Sequence, residues 1–226
     1  MAPSALPAAV LFDMDGTLVD TEGHWLDAEV HVMGLLGASW HPEDQVACLG
    51  GPLEKVTAHM RIRSGSSLSD HEVGLLLMDA MESRLRSTPP AWQPGARDLL
   101  TECRGMGIPT ALVSASWARL IRAVADRMEE ELTTLPFDVI VAGDDVTYSK
   151  PHPEPYVEAA RLLGVRPDEC LAIEDSPTGV TSARDAGCRV VAVPHIADVA
   201  HLGTAVVTSL AGATITSLWH TARLSD

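Results

Sequence analysis

Lysine is almost absent from this chain. Its 226 residues hold two, Lys55 and Lys150, and every other basic residue is an arginine. Positive charge as a whole is scarce, with 16 Lys and Arg against 31 Asp and Glu, a net charge of −15. Such a surface repels nucleic acid and anionic membranes, so neither is an expected partner. An anionic substrate would need local cations, either a metal or well-placed side chains. No apolar run approaches the roughly 20 residues of a membrane-spanning helix. Residues 1–9 carry no Lys or Arg, so no secretory leader is expected. The four cysteines, Cys48, Cys103, Cys170 and Cys188, lie far apart, with no C-x-x-C or Cys/His metal pattern. They are expected to be reduced and buried, in a cytoplasmic protein. Repeats and low-complexity tracts are missing too, and nothing in the sequence selects a monomer or a homodimer.

What the chain does have is 46% hydrophobic residues, enough for a sizeable core. An apolar run over residues 9–13 reads as a buried strand. From Thr21 the pattern turns helical, with Trp25, Ala28, Val32 and Leu36 at helical spacing. A second helix is expected over 42–49, then a turn at Gly50-Gly51-Pro52, with Pro52 suited to a first helical position. Leu53, Val56 and Met60 form the next apolar stripe. Ser69 and Glu72 make a capping box ahead of Val73, Leu76, Leu77, Ala80 and Met81. Thr88-Pro89-Pro90 closes this all-helical block.

Helix and strand alternate after that. Helices are expected with the stripe Ala96, Leu99, Leu100, Cys103 and Met106, from Ser116, which can cap it, to about 128, over 154–163, from Ser176-Pro177 to Gly187, and over 215–224. Strands are expected over 109–113, 137–142, 170–173, 189–193 and 205–208. This rhythm implies an α/β fold of Rossmann-like type, a parallel sheet with helices on both faces. The core domain would comprise residues 1–20 and 89–226, and the helical insert, a cap, residues 21–88.

Four places just after strands collect chemistry. They are Asp13 with Asp15, Ser114, Lys150, and Glu174-Asp175-Ser176. Ligands in such sheets sit at the carboxyl ends of strands. The acidic clusters supply hard oxygen ligands for Mg2+. A lysine, a hydroxyl and backbone N–H groups at helix starts hold phosphoryl oxygens. A carboxylate beside the metal can attack phosphorus. Each piece alone has an ordinary structural use. Ser114 could be a loop residue, Lys150 a surface lysine, and Glu174-Asp175-Ser176 a helix cap. Their ordered placement at successive strand ends carries the inference.

That set resembles the haloacid dehalogenase superfamily of hydrolases over nearly the whole chain. Asp13-Met14-Asp15-Gly16-Thr17-Leu18-Val19-Asp20 is similar to its first motif, Ser114 to its second, Lys150-Pro151 to its third, and Glu174-Asp175-Ser176-Pro177-Thr178-Gly179 to its fourth. The insert resembles the alpha-helical cap of the subgroup that includes phosphoglycolate phosphatases and beta-phosphoglucomutases. The resemblance implies that Asp13 is the nucleophile and a Mg2+ ligand. Asp15 would be the general acid/base and bind Mg2+ through its carbonyl. Ser114 and the Ala115 N–H would hold the phosphoryl group, and Lys150 would neutralise it and orient Asp13. Asp175 would ligate Mg2+, and Glu174 would do so directly or through water. The substrate would be a small phosphorylated metabolite, and the insert a lid hinged near 19–22 and 88–93.

Asp15 separates phosphate ester chemistry from dehalogenation, because the dehalogenases lack an acid there. Two alternatives remain, a beta-phosphoglucomutase-like phosphomutase and a non-catalytic phosphate-ligand binding protein. Against the mutase, its cap histidine falls at Trp25, next to His24, and its cap arginine at Leu53. Lys55 reads as part of a solvated helix face. His152 is placed at the rim of the site, and His195 among surface or packing residues. Trp117 is near the second motif.

Overall fold

The opening apolar run folds as strand β1, Ala9–Phe12, with every residue buried. The structure, a computed structural model, describes residues 5–48, 53–195, 199, 202 and 204–223. The further strands are β2 (Thr110–Val113), β3 (Val139–Val141), β4 (Cys170–Glu174), β5 (Arg189–Ala192) and β6 (Ala205–Val206). Among the described residues they form one six-stranded sheet in the order β3-β2-β1-β4-β5-β6. All pairings are parallel. β1 is therefore central, with Phe12 paired to Leu112 on one side and Ile173 on the other. Strands buried on both faces read as continuous apolar runs, and β1, β2 and β4 do.

The helices are α1 (Glu22–Leu35), α2 (Pro42–Cys48), α3 (Leu53–Ser64), α4 (Asp70–Ser87), α5 (Ala96–Met106), α6 (Ala118–Leu132), α7 (Glu154–Leu163), α8 (Pro177–Asp185) and α9 (Ile215–Arg223). The chain divides into two compact units, one of Met1–Asp20 with Pro90–Asp226, the other of Thr21–Pro89. The first is the α/β unit. One of its core clusters joins Leu11, Val113, Ala172 and Val190 of the sheet to Tyr156, Ala159 and Val180 of α7 and α8. The second unit is all helical, with α1 and α3 packed on α4.

Where the chain leaves and re-enters the α/β unit, its two arms are paired. Asp20 N–H donates to Ala91 O at 2.8 Å and Gln93 N–H to Leu18 O at 2.8 Å, and Val19 bridges Trp92 antiparallel.

Several local readings shift. The buried face of α1 is Ala28, Glu29, Val32 and Met33, rotated from the stripe through Trp25 and Leu36. Met106, expected in the α5 stripe, is 44% exposed. Helix α6 runs to Leu132, one turn past its expected end, and stops on Thr133 in a left-handed conformation. The capping box at Ser69 and Glu72 forms as the sequence suggests. The expected turn at residues 50–52 lies outside the described residues. All four cysteines are free and buried.

Candidate active site

Parallel strands with the order found here reverse direction of travel between β1 and β4, and the crevice beyond their carboxyl ends is where ligands bind. Asp13 is the first residue past β1, its N–H donating to Ile173 O of β4 at 3.0 Å. Gly16 turns the chain away at φ 86°, a left-handed conformation that favours glycine. A Cβ there would run into the Asp175 carboxylate and lie 3.4 Å from the His195 ring. Only a glycine lets the Asp13–Asp15 loop pack so closely on Asp175.

Lys150 links three strand ends. Its Nζ donates to Asp13 Oδ1 at 2.7 Å, to Val113 O at 2.8 Å and to Glu174 Oε1 at 2.5 Å. An ammonium has three donors, and all are used. Burial works against its charge, but the Asp13 and Glu174 carboxylates outweigh that and hold its pKa above the usual lysine value. The Lys150-Pro151 peptide is cis. Tyr156 on α7, fully buried, donates to the same Glu174 Oε1 at 2.6 Å. The other oxygen, Oε2, accepts from Ser176 Oγ at 3.3 Å. Gly179 on α8 faces this carboxylate, and a Cβ there would occupy its place.

Asp13, Glu174 and Asp175 each offer an oxygen within 4.8 Å of the others. Burial pushes the Asp13 carboxyl well above the carboxylate range, with repulsion from Glu174 adding to it and Lys150 only partly countering it. Asp175 is pushed up to about 7 by burial and then by Glu174. One ammonium therefore faces more buried anions than it can balance. An all-oxygen donor set with excess negative charge fits a hard divalent cation.

The β2–α6 turn completes the group. Ser114, buried, donates its N–H to Val141 O at 3.1 Å. Its Oγ lies 3.4 Å from Asp15 Oδ2, and Ser116 Oγ donates to the same oxygen at 2.8 Å. Ser116 does not cap α6, as the sequence suggested. Trp117 is the cap residue, 45% exposed, and makes no side-chain cap bond. The Ala118 N–H is instead taken by Asp144 Oδ1 at 2.8 Å.

Asp13, Asp15, Ser114, Lys150, Glu174 and Asp175 are thus neighbours in the α/β unit, and Ala115 lies between the two serines, exposed. Sequence reasoning missed Tyr156 and Ser116. His195, placed among surface or packing residues, is exposed, and its ring stands beside Gly16 and 3.5 Å from Gln93 Nε2. His152 stays outside the group, its ring tilted on Tyr148 at 4.9 Å.

The helical unit holds two buried acids of a different kind. Asp44 Oδ1 accepts from His59 Nε2 at 2.8 Å and pairs with Arg63 Nε at 2.8 Å. Its Oδ2 accepts from the His41 N–H at 3.0 Å. Burial alone would raise its pKa, but these donors bring it down to about 2. Glu29 is 8% exposed, and burial, opposed by Trp40 and reinforced by repulsion from Glu22, raises it to about 7.

Comparison with known proteins gives the chain's family and fold relatives. The family described as haloacid dehalogenase-like hydrolase matches residues 10–193. Hexitol phosphatase B of Escherichia coli is 32% identical over 188 residues, which cover 82% of this chain and 83% of that protein. The crystal structure of CbbY from Rhodobacter sphaeroides in complex with phosphate superposes with a TM-score of 0.79 at 26% identity, covering 94% of this chain and 99% of that one. A putative beta-phosphoglucomutase from Thermotoga maritima has a TM-score of 0.74 at 25% identity, over 96% and 98% of the two chains.

Proposed function

We propose that this chain, a phosphatase belonging to the haloacid dehalogenase-like hydrolases, uses Mg2+ and an aspartyl-phosphate intermediate to hydrolyse a small phosphorylated metabolite. The substrate class is a sugar phosphate or a phosphoglycolate-like ester. The observation that carries the reading is Lys150, buried and shared between Asp13 and Glu174 at the ends of adjacent strands.

Asp13 Oδ attacks phosphorus as the bond from phosphorus to the ester oxygen breaks. Asp15 gives the departing oxygen its proton. Ser114 Oγ and the Ala115 N–H hold the phosphoryl oxygens in place. Asp15, now a carboxylate, takes a proton from the water that attacks the phosphoaspartate. The bond from Asp13 to phosphorus then breaks, and inorganic phosphate leaves with Asp15 reprotonated. Lys150 keeps Asp13 oriented throughout and offsets charge on the phosphoryl group. Asp13, the Asp15 carbonyl and Asp175 would hold Mg2+. Glu174, whose Oε1 is committed to Lys150 and Tyr156, would reach it through water. The cation would supply charge neutralisation of the phosphoryl oxygens, the main requirement of phosphoryl transfer besides alignment. The helical insert would close over the site as a lid, excluding water until the leaving group has gone. No helix among the described residues is long and apolar enough to cross a membrane.

Purified chain with Mg2+ is expected to release phosphate from some member of a panel of sugar phosphates and phosphoglycolate. Asp13→Asn is expected to lower that rate by about a thousandfold or more, since it removes the nucleophile. An Asp13→Asn variant with full activity overturns the reading. The likeness to a putative beta-phosphoglucomutase favours a second reading, phosphomutase. It predicts turnover that needs a bisphosphate primer and conserves total ester phosphate. Trp25 and Leu53, at the two cap positions where mutases carry His and Arg, argue for hydrolysis.

A further inference from the structure

The Ser114-Ala115-Ser116 turn presents two hydroxyls to one carboxylate oxygen, and they are not equivalent. Ser116 Oγ is 2.8 Å from Asp15 Oδ2, a full hydrogen bond, and Ser114 Oγ is 3.4 Å away. Ser114 is held from behind, because its Oγ accepts the Ser116 N–H at 3.0 Å. The turn itself is fixed by backbone, with the Gly143 N–H donating to Ser116 O at 2.9 Å. The Ser116 side chain is therefore not needed to shape the turn. It is not needed at the start of α6 either, where Asp144 serves.

We propose that Ser116 is a positioning residue for Asp15, holding Oδ2 so that the carboxyl group meets the leaving oxygen. This rests on the reading of Asp15 as general acid. The division of labour follows from the distances. Ser114's O–H, loosely donated at 3.4 Å while its oxygen stays anchored by the Ser116 N–H, is the one a phosphoryl group can take, and Ser116 keeps its hold on Asp15 when that happens. A hydroxyl suits the task because it donates to a carboxylate and accepts from a carboxylic acid. Asp15 gives up and regains a proton in each turnover, and the Ser116 bond can persist through both forms.

A residue that works through a general acid matters in proportion to how much the leaving group needs a proton. The test is kcat/KM, which reports every step up to leaving-group departure, for wild type, Ser116→Ala and Ser116→Thr. The esters are 4-nitrophenyl phosphate, phenyl phosphate and glycerol 2-phosphate, in order of increasing need. Ser116→Ala is expected to change the first by less than about threefold and to lower the last by about 30-fold, part of what a general acid supplies. Ser116→Thr, which restores the hydroxyl, is expected to stay near wild type on all three. Equal losses on all three esters would mean that Ser116 shapes the phosphate pocket, and would overturn the proposal. No loss on any of them would overturn it too. An Asp15→Asn variant that shows no such leaving-group dependence removes the general-acid reading, and this inference with it.

Discussion

Two buried aspartates, one in each unit, have opposite fates. Asp44 in the helical unit is 2% exposed and Asp13 in the α/β unit 7%. Both are closed to solvent, Asp13 the more deeply set. Asp44 meets His59, Arg63 and a backbone N–H, and its carboxyl falls to about 2. Asp13 shares one lysine with Glu174 and has Asp175 and Asp15 close by, and its carboxyl rises. Burial alone therefore does not mark a functional acid. The mark is anions left in excess of the cations that accompany them, a deficit that a ligand can fill. Asp44 is a clamp joining α2 to α3, and Asp13 belongs to a cluster in which carboxylates outnumber the one ammonium they share.

The sharpest test sets the two clusters against each other in cation-free buffer near neutral pH. Asp44→Asn is expected to lower the melting temperature by several degrees, because it breaks a compensated network and strands its donors. Asp175→Asn should leave it unchanged or raise it, because it relieves repulsion. Equal drops in both variants would erase the distinction.

A smaller effect comes from the cation itself. Asp175 titrates near 7 in the folded protein against an ordinary value of 3.8, so the folded state holds a proton that the unfolded chain has released. Stability from this group is thus full at low pH and is lost as pH rises through 4 to about 7. Mg2+ would take the proton's place above that window. Saturating Mg2+ is expected to raise the melting temperature by about 3 °C or more near pH 8 and to do little near pH 5. A gain independent of pH would separate the cation from these carboxylates.

Glu29 should give the smallest change. It is raised from 4.5 to about 7 by burial, so its contribution also falls as pH climbs through that range. Glu29→Gln is expected to raise the melting temperature by about 1–3 °C near pH 8 and not at all near pH 4. Destabilisation near pH 8 would mean that the charged form has a cation partner after all, as Asp44 does.

The site's placement was readable because a parallel sheet gathers strand ends, and Asp13, Ser114, Glu174 and Asp175 each follow or end an apolar run. Lys150 stood out through the scarcity of lysine. Tyr156 was not readable, because its partner Glu174 is 18 residues away and no local pattern couples them. Ser116 was misread for a physical reason. A serine before a helix ordinarily caps it, but Asp144, arriving from the next loop, took that N–H and freed the hydroxyl for Asp15. Glu29 gave no signal in the sequence, because its helix buries a wider face than an apolar stripe records.

The paired arms at Leu18–Asp20 and Ala91–Gln93 have a consequence for folding. Asp20 and Ala91 are one hydrogen bond apart, so the whole helical insert leaves and returns at nearly one point. Seen from the sheet, β1 and α5 are joined by something close to a hairpin. The entropy of closing a loop grows only slowly with its length, and the paired arms hold the two ends of the insert together. β1 can thus find β2 almost as though the intervening residues were not there. Such a junction lets the helical segment change in length and sequence while the register of Val10 against Thr110 stays as it is.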